Sequence, residues 1–176
     1  REVGMNSSSF AGALRAAVRE DPDVIMVGEM RDRETVGLAL RAAEMGFMIL
    51  GTLHTNSAAK TLDRIIDIFP SAEQSSARIS LAASLRGVVS QQLLRRVTGK
   101  GRVAAFEILV GSLAVSNAVR EGDTPKIYSI IQSGRGLGME TMDDALRGLV
   151  NSGAVELDEV RRKAHDKSKF DLVDEI

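Results

Sequence analysis

"DPDVIMVGEMRDRETVGLALRAAEMGFMILGTLHT", residues 21–55, places two short apolar runs on either side of an amphipathic segment. The first run, Val24–Val27, leads into Gly28 and Glu29, and the second, "FMILGTL" at 47–53, ends at His54. Between them, "DRETVGLALRAAEMG" opens on Asp32, a residue suited to an N-cap, and has an acid in its first turn. It closes on Gly46, the glycine expected just past a helix end. A continuous four-residue apolar run reads as a strand covered on both faces. Strand, helix and strand with short connections predict a parallel sheet with a right-handed crossover.

Outward from this unit the pattern continues. Upstream, Ser7-Ser8-Ser9 precede "FAGALRAAVRE", a helix that Asp21-Pro22 ends, because the residue before proline is pushed out of the α region. Downstream, helices are expected at about 57–68, stopped by Phe69-Pro70, and at about 72–87. The period then changes: "VVSQQLLRRV", "TGKG" and "RVAAFEILV" read as a β-hairpin. Beyond Gly111 four helical segments follow, at 112–121, 125–133, 140–152 and 156–165, punctuated by Gly122, "GRGLG" and Gly153. "GRGLG" lacks a preceding strand, so it reads as a link between helices rather than a dinucleotide-binding turn. The expected organisation is an α/β part over 1–110 and a small helical part over 111–176.

Composition narrows the function classes. The 176 residues are 44% apolar and 27% charged, a globular composition, and aromatics at 3% imply an aliphatic core. A formal net charge of -1 gives no electrostatic reason to expect nucleic acid or an anionic membrane as partner. Cysteine is absent, which excludes disulfides and thiolate metal sites, and the two histidines, His54 and His165, have no companions at zinc-ligand spacing. No apolar run approaches the ~18 residues of a membrane span, so direct membrane insertion is not expected. The chain opens on Arg1 rather than Met, in mid-pattern, and is expected to be a piece of a longer polypeptide.

Ligands of open α/β sheets bind beyond the carboxyl ends of the strands, where Glu29 and His54 both fall. A lone carboxylate there needs a cation, metal or water network to meet it, and a nucleotide's Mg²⁺ is the natural candidate. The histidine would then hydrogen-bond a terminal phosphate. Plainer readings stay open: Glu29 caps a turn or pairs with Arg31, Arg31 bridges to Asp32 or Glu34, and His54 is a loop histidine. Thr52 and Thr55 flank His54 and satisfy local backbone donors, while Arg15 and Arg19 are solvated or intersubunit charges. The phosphate-cradling pattern G-x-x-x-x-G-K-[ST] occurs nowhere, and the one Gly-Lys pair, Gly99-Lys100, lies in the hairpin turn.

Four segments carry a resemblance: "REVG" (1–4), "LRAAVREDPDVIMVGEMRDRET" (14–35), "GTLHTNSAAKTLDRIIDIFP" (51–70) and "SQQLLRRVTGKGRVAAFEIL" (90–109). Together they resemble the secretion ATPase superfamily, and within it the PilT-type retraction ATPases of type IV pili, across essentially the whole chain. The resemblance implies the second half of a RecA-like P-loop ATPase core followed by a helical C-terminal domain. It implies ATP and Mg²⁺ as ligands. Gly28-Glu29 would be an atypical Walker B in which Glu29 holds Mg²⁺ through water, without being the base that activates the attacking water. "GTLHT" would be the histidine box, with His54 near the γ-phosphate and Thr55 beside it; Arg31 is a weaker member of the set.

The same resemblance implies a homo-hexamer at the cytoplasmic face of the inner membrane, working on the platform protein of the pilus base, and leaves room for a paralogous retraction ATPase as a further partner. The family's phosphate loop, acidic box and N-terminal domain belong upstream of the motif at Arg1. The family's A-I-R-N-L-I-R-E reads "AVSNAVRE" at 114–121, with Ser116 in place of an arginine and Ala118 in place of a leucine, which leaves an accessory, PilU-like paralogue open. Two other readings stand beside it: a non-catalytic assembly or partner-binding fragment, and a pilus-assembly or type II secretion ATPase. Those assembly enzymes carry a four-cysteine zinc module, and cysteine is absent here.

Overall fold

In the computed structural model of the chain, which describes residues 2–171, the Ser9 hydroxyl accepts the Gly12 amide at 3.0 Å and starts α1, Phe10–Ala17. A 3-10 turn, Val18–Glu20, carries the chain to Asp21-Pro22 and then into β1, Val24–Val27. Asp32 caps α2, Arg33–Glu44, as expected: one carboxylate oxygen accepts the Thr35 amide and the other the Thr35 hydroxyl, both at 2.8 Å. The helix ends in a Schellman motif at Gly46, whose φ is +104. Gly46 N–H donates to the Ala43 carbonyl at 3.1 Å and Phe47 N–H to the Ala42 carbonyl at 3.2 Å. β2, Met48–Gly51, then pairs in parallel with β1, Val24 opposite Met48 and Val27 opposite Gly51.

Helices α3, Ala58–Asp67, and α4, Ser71–Ser84, follow. β3, Gly87–Arg95, and β4, Arg102–Val110, form the expected antiparallel hairpin. Four further α-helices follow, α5, Leu113–Glu121, α6, Pro125–Ser133, α7, Met142–Asn151, and α8, Leu157–Lys163, and then a 3-10 turn, Lys167–Phe170. "GRGLG" is a 3-10 turn, Arg135–Leu137, closed by Gly138 in the left-handed region. The fold class is thus α/β, with one parallel strand pair, one antiparallel hairpin and helices around them.

The residues cluster into two compact units. Among the described residues, one comprises 2–55 with 61–85 and 112–124; the other comprises 56–60, 86–111 and 125–171. In the first unit Leu14 of α1, Ile25 and Val27 of β1 and Ala39 of α2 form a core, with Val18, Met30, Leu38, Phe47 and Ile49 packed against it. Within the same unit α2 packs on α4 and α4 on α5. Ser116, where the family pattern has arginine, donates its hydroxyl to the Ala82 carbonyl at 2.8 Å and fastens α5 to α4.

One expectation is corrected here. β1 is covered on one face only: Ile25 and Val27 are buried, while Val24 and Met26 are exposed. Their neighbours on β2, Met48 and Leu50, are exposed as well. Alternate side chains of a strand point to opposite faces, and the packed helices cover one of them. A four-residue apolar run therefore marks the strand without marking how many faces this chain covers.

In the second unit α7 packs on β4 and α8 on β3. Leu94, Ala105, Met142, Leu146, Val155, Val160 and Phe170 form its core. Burying a phenylalanine ring contributes about 1.5–3 kcal/mol, and the Arg147 guanidinium lies 5.9 Å from the centre of the Phe170 ring. Asp143 in the first turn of α7 is almost completely buried. It accepts the His165 amide at 2.8 Å, the Asp166 amide at 3.2 Å and the Tyr128 hydroxyl at 3.2 Å, and Lys169 Nζ stands 3.7 Å away. That acid pins the 165–169 segment to α7.

Candidate functional site

The parallel pairing sets the site. Because Val27 lies opposite Gly51, the chain leaves β1 at Gly28-Glu29 and leaves β2 at Thr52, at the same end of the sheet. Main-chain bonds continue past both strands: Met30 N–H donates to the Thr52 carbonyl at 3.0 Å and Thr52 N–H to the Val27 carbonyl at 3.4 Å. The Thr52 hydroxyl donates to the Gly28 carbonyl. The two exits are therefore laced together for one residue more than the ladder alone would hold, and Glu29 is carried on a stiff tip.

Met30 lies over Gly51. A Cβ added at Gly51 would meet Met30 Cε at 2.6 Å and Sδ at 2.7 Å, so a side chain at 51 would displace the thioether next to Glu29. Gly28 itself has open space around a Cβ and contributes its carbonyl to the Thr52 hydroxyl.

Glu29, Arg31 and His54 are brought together. The Glu29 side chain retains 20% exposure, whereas Arg31 retains 73% and His54 79%. The Arg31 guanidinium pairs with Glu29 Oε2, and His54 Nε2 lies 3.0 Å from Glu29 Oε1. An ionised carboxylate only accepts, so the proton in the second contact belongs to Nε2 of His54. The hydrogen bond from Arg31 holds the Glu29 carboxyl below the usual carboxylate range, and His54 adds to it. The same pairing makes the Arg31 guanidinium hold its proton more firmly. Arg31 thus bridges to Glu29 rather than to Asp32 or Glu34; Asp32 is spent on its cap, and Glu34 takes Arg15 at 2.7 Å.

Thr55 sits apart from this trio. Its hydroxyl is 2.7 Å from that of Thr61, one turn inside α3, so it ties the histidine segment to that helix. Neither the Met30–Gly51 contact nor the Thr52–Gly28 bond was singled out from sequence. Thr52 stands next to the strand end and carries a hydroxyl, the one local signal available. Met30 carried none, since a methionine after a carboxylate is indistinguishable from any core residue.

Chemically, the arrangement offers an anionic oxygen at a strand tip whose two partners are the ends of exposed, flexible side chains. Those partners can swing aside for a cation or a phosphate without exposing core. Mg²⁺ typically binds through one or two carboxylates together with water and substrate phosphates, and a single accessible carboxylate fits that requirement. Among the described residues no group of three or more His, Asp or Glu is placed to hold a metal by itself. No helix among them is long and apolar enough to cross a membrane.

Residues 4–173 match the family of type II/IV secretion system proteins. The chain is 50% identical over 170 residues to the type IV pilus retractation ATPase PilT of Pseudomonas aeruginosa, covering 97% of this chain and 49% of that protein. It is 51% identical over 170 residues to a twitching motility protein of Neisseria gonorrhoeae, with 97% and 46% covered. Among solved structures, the crystal structure of the pilus retraction motor PilT with bound ADP superposes with a TM-score of 0.86 at 47% identity, covering 96% of this chain and 47% of that one. The chain spans about half the length of the curated relatives it matches. A family match along nearly the whole chain and a shared fold leave one assignment: this chain belongs to the type II/IV secretion system protein family.

Proposed function

We propose that this chain is the C-terminal part of a hexameric ATPase that converts ATP hydrolysis into retraction of a type IV pilus. The observation that carries this reading is the meeting of Glu29 and His54 at 3.0 Å across the carboxyl end of a parallel strand pair. Phosphoryl transfer to water needs chiefly positioning and charge stabilisation, so a carboxylate and an N–H donor held on a stiff tip are the parts a hydrolase would use.

In this reading Glu29 holds Mg²⁺ through water, and His54 Nε2–H donates to a terminal phosphate oxygen. Bound Mg²⁺ would neutralise charge on the phosphates. Arg31 keeps Glu29 ionised and screened until ligand arrives, Gly28 leads the chain from the strand to Glu29 and ties it to Thr52 through its carbonyl, and Thr55 anchors the histidine segment. Residues 1–110 are the ATPase-core half and 111–176 the helical domain, a division of labour within the fold rather than one of compactness. The motor works as a homo-hexamer on the platform protein at the cytoplasmic face of the inner membrane, with a paralogous ATPase as a further partner.

The test is Glu29→Gln in the complete protein. Mg-ATP hydrolysis should fall by roughly 10²-fold or more, the hexamer and the unfolding midpoint should be unchanged, and a retraction-null strain should not be complemented. Hydrolysis at the unmodified rate would remove Glu29 from the mechanism. Complementation of retraction by the unmodified gene separates a retraction motor from an accessory or assembly one.

A further inference from the structure

Glu107 lies on β4 in phase with Ala105 and Leu109, pointing into the second unit, and is 3% exposed. A carboxylate in that environment is costly without donors. Two main-chain amides supply them: Ala58 N–H at 2.7 Å to Oε1 and Met142 N–H at 3.3 Å to Oε2. Ala58 and Met142 are the first residues of α3 and α7. The first amides of a helix find no acceptor inside it and sit at the positive end of its dipole. On α7 the capping hydroxyl of Thr141 is already taken by the Asp144 amide at 3.1 Å. One buried carboxylate therefore serves two helix starts.

The α3 end has a consequence for the site. The short run from His54 to Ala58 is all that separates the histidine from the amide Glu107 holds. Thr55 is tied to Thr61 just beyond it. Both ties fix where α3 begins, and the histidine hangs from that start.

We propose that Glu107 is a positioning residue for His54: by holding the first amides of α3 and α7 on one carboxylate it fixes the start of α3, and with it the end of the short segment that carries the histidine. The proposal rests on the role given to His54 above. It is tested in the complete protein with Glu107→Gln, which keeps size and removes the charge. Hydrogen exchange should quicken in peptides covering 54–60 and 140–146. Turnover should fall about 10-fold or more, a fraction of an ångström of misplacement sufficing, while KM for Mg-ATP stays within about twofold because uniform binding is untouched. Combined with His54→Ala, the double variant should be no slower than His54→Ala alone.

A lower unfolding midpoint with unchanged turnover well below it would make Glu107 merely structural and overturn the proposal. So would losses that add to those of His54→Ala. Ser90, opposite Glu107 in the ladder and buried with no partner for its hydroxyl, is the control: Ser90→Ala producing the same loss would also overturn it. If Glu107→Gln fails to fold, Glu107→Asp, which keeps the charge at shorter reach, takes its place with the same expectations. If His54→Ala hydrolyses ATP normally, the functional reading of His54 falls by itself. Exchange at 54–60 then decides: faster exchange sustains the positioning role, unchanged exchange ends it.

Discussion

Glu29 and Glu107 are two acids placed by two strands, and they differ in what they hold. Glu29 sits beyond the end of β1 with the exposed tips of Arg31 and His54 for partners. Glu107 sits inside β4 with the first amides of two helices for partners. A side-chain tip can leave its carboxylate and be rehydrated at little cost. A helix's first amide in the interior cannot, because no water replaces the lost acceptor. The kind of partner, more than the strength of the contact, separates an acid available to a ligand from an acid built into the frame.

The sharpest way to break this contrast is to remove each carboxylate and measure stability. Glu107→Ala strands two buried N–H groups, each having lost a bond to a charged acceptor, and should lower the unfolding free energy by about 3 kcal/mol or more in denaturant titrations. Glu29→Ala should leave the midpoint where it was, since exposed pairs contribute little. Equal losses for the two would erase the distinction. Asp143 extends the contrast to an acid with mixed partners, two amides, a tyrosine hydroxyl and a lysine. Asp143→Asn should cost about 2–3 kcal/mol and loosen 165–169 from α7, read as faster tryptic cleavage after Lys167 and Lys169. Cleavage at the unmodified rate would mean that Phe170 burial alone keeps that segment down.

Those two buried acids also mark where the sequence stops being readable. Elements written in local chemistry were legible: the Asp32 cap, the Gly46 stop, the glycines of the hairpin turn and the two apolar runs each depend on residues within a turn of each other. Glu29 and His54 were legible as a pair because strand ends in a parallel sheet share an edge. Glu107 was not, because its partners stand 49 and 35 positions away. The available signal was phase: an acid at 107 in step with Val103, Ala105 and Leu109 on a strand must find donors inside. Asp143 was hidden differently, since an acid in the first turn of a helix already has an ordinary explanation in the helix dipole. The exposed face of β1 was misread for a third reason: an apolar run records hydropathy and not the number of packed faces, and Val24 and Met26 stay exposed.

The smallest effect concerns a fourth acid, exposed at the surface, and it bears on the same contrast through pH. Asp32, like Glu107, gives its carboxylate to a helix amide, but at the surface. The Thr35 amide holds its carboxyl below the usual range. A depressed folded value means the stabilisation is fully present above the unfolded pKa, about 4, and is lost as pH falls through the folded one. Asp32→Ala should therefore cost about 1 kcal/mol near neutral pH, with the gap to the unmodified protein closing in acid, while Asp32→Asn keeps the cap and should cost only tenths at either end. Glu29 is also held low, by Arg31 first and His54 second, so the same sign applies: its contribution is present above the unfolded value and fades in acid. Its partners, however, are side chains in water, and screening leaves little of that shift as stability. Acid unfolding curves of Glu29→Gln should superimpose on those of the unmodified protein where those of Asp32→Ala do not. If Glu29→Gln flattened the acid limb as much as Asp32→Ala, an exposed side-chain partner would count for as much as a main-chain amide, and the line drawn between a site carboxylate and a structural one would have to be drawn elsewhere.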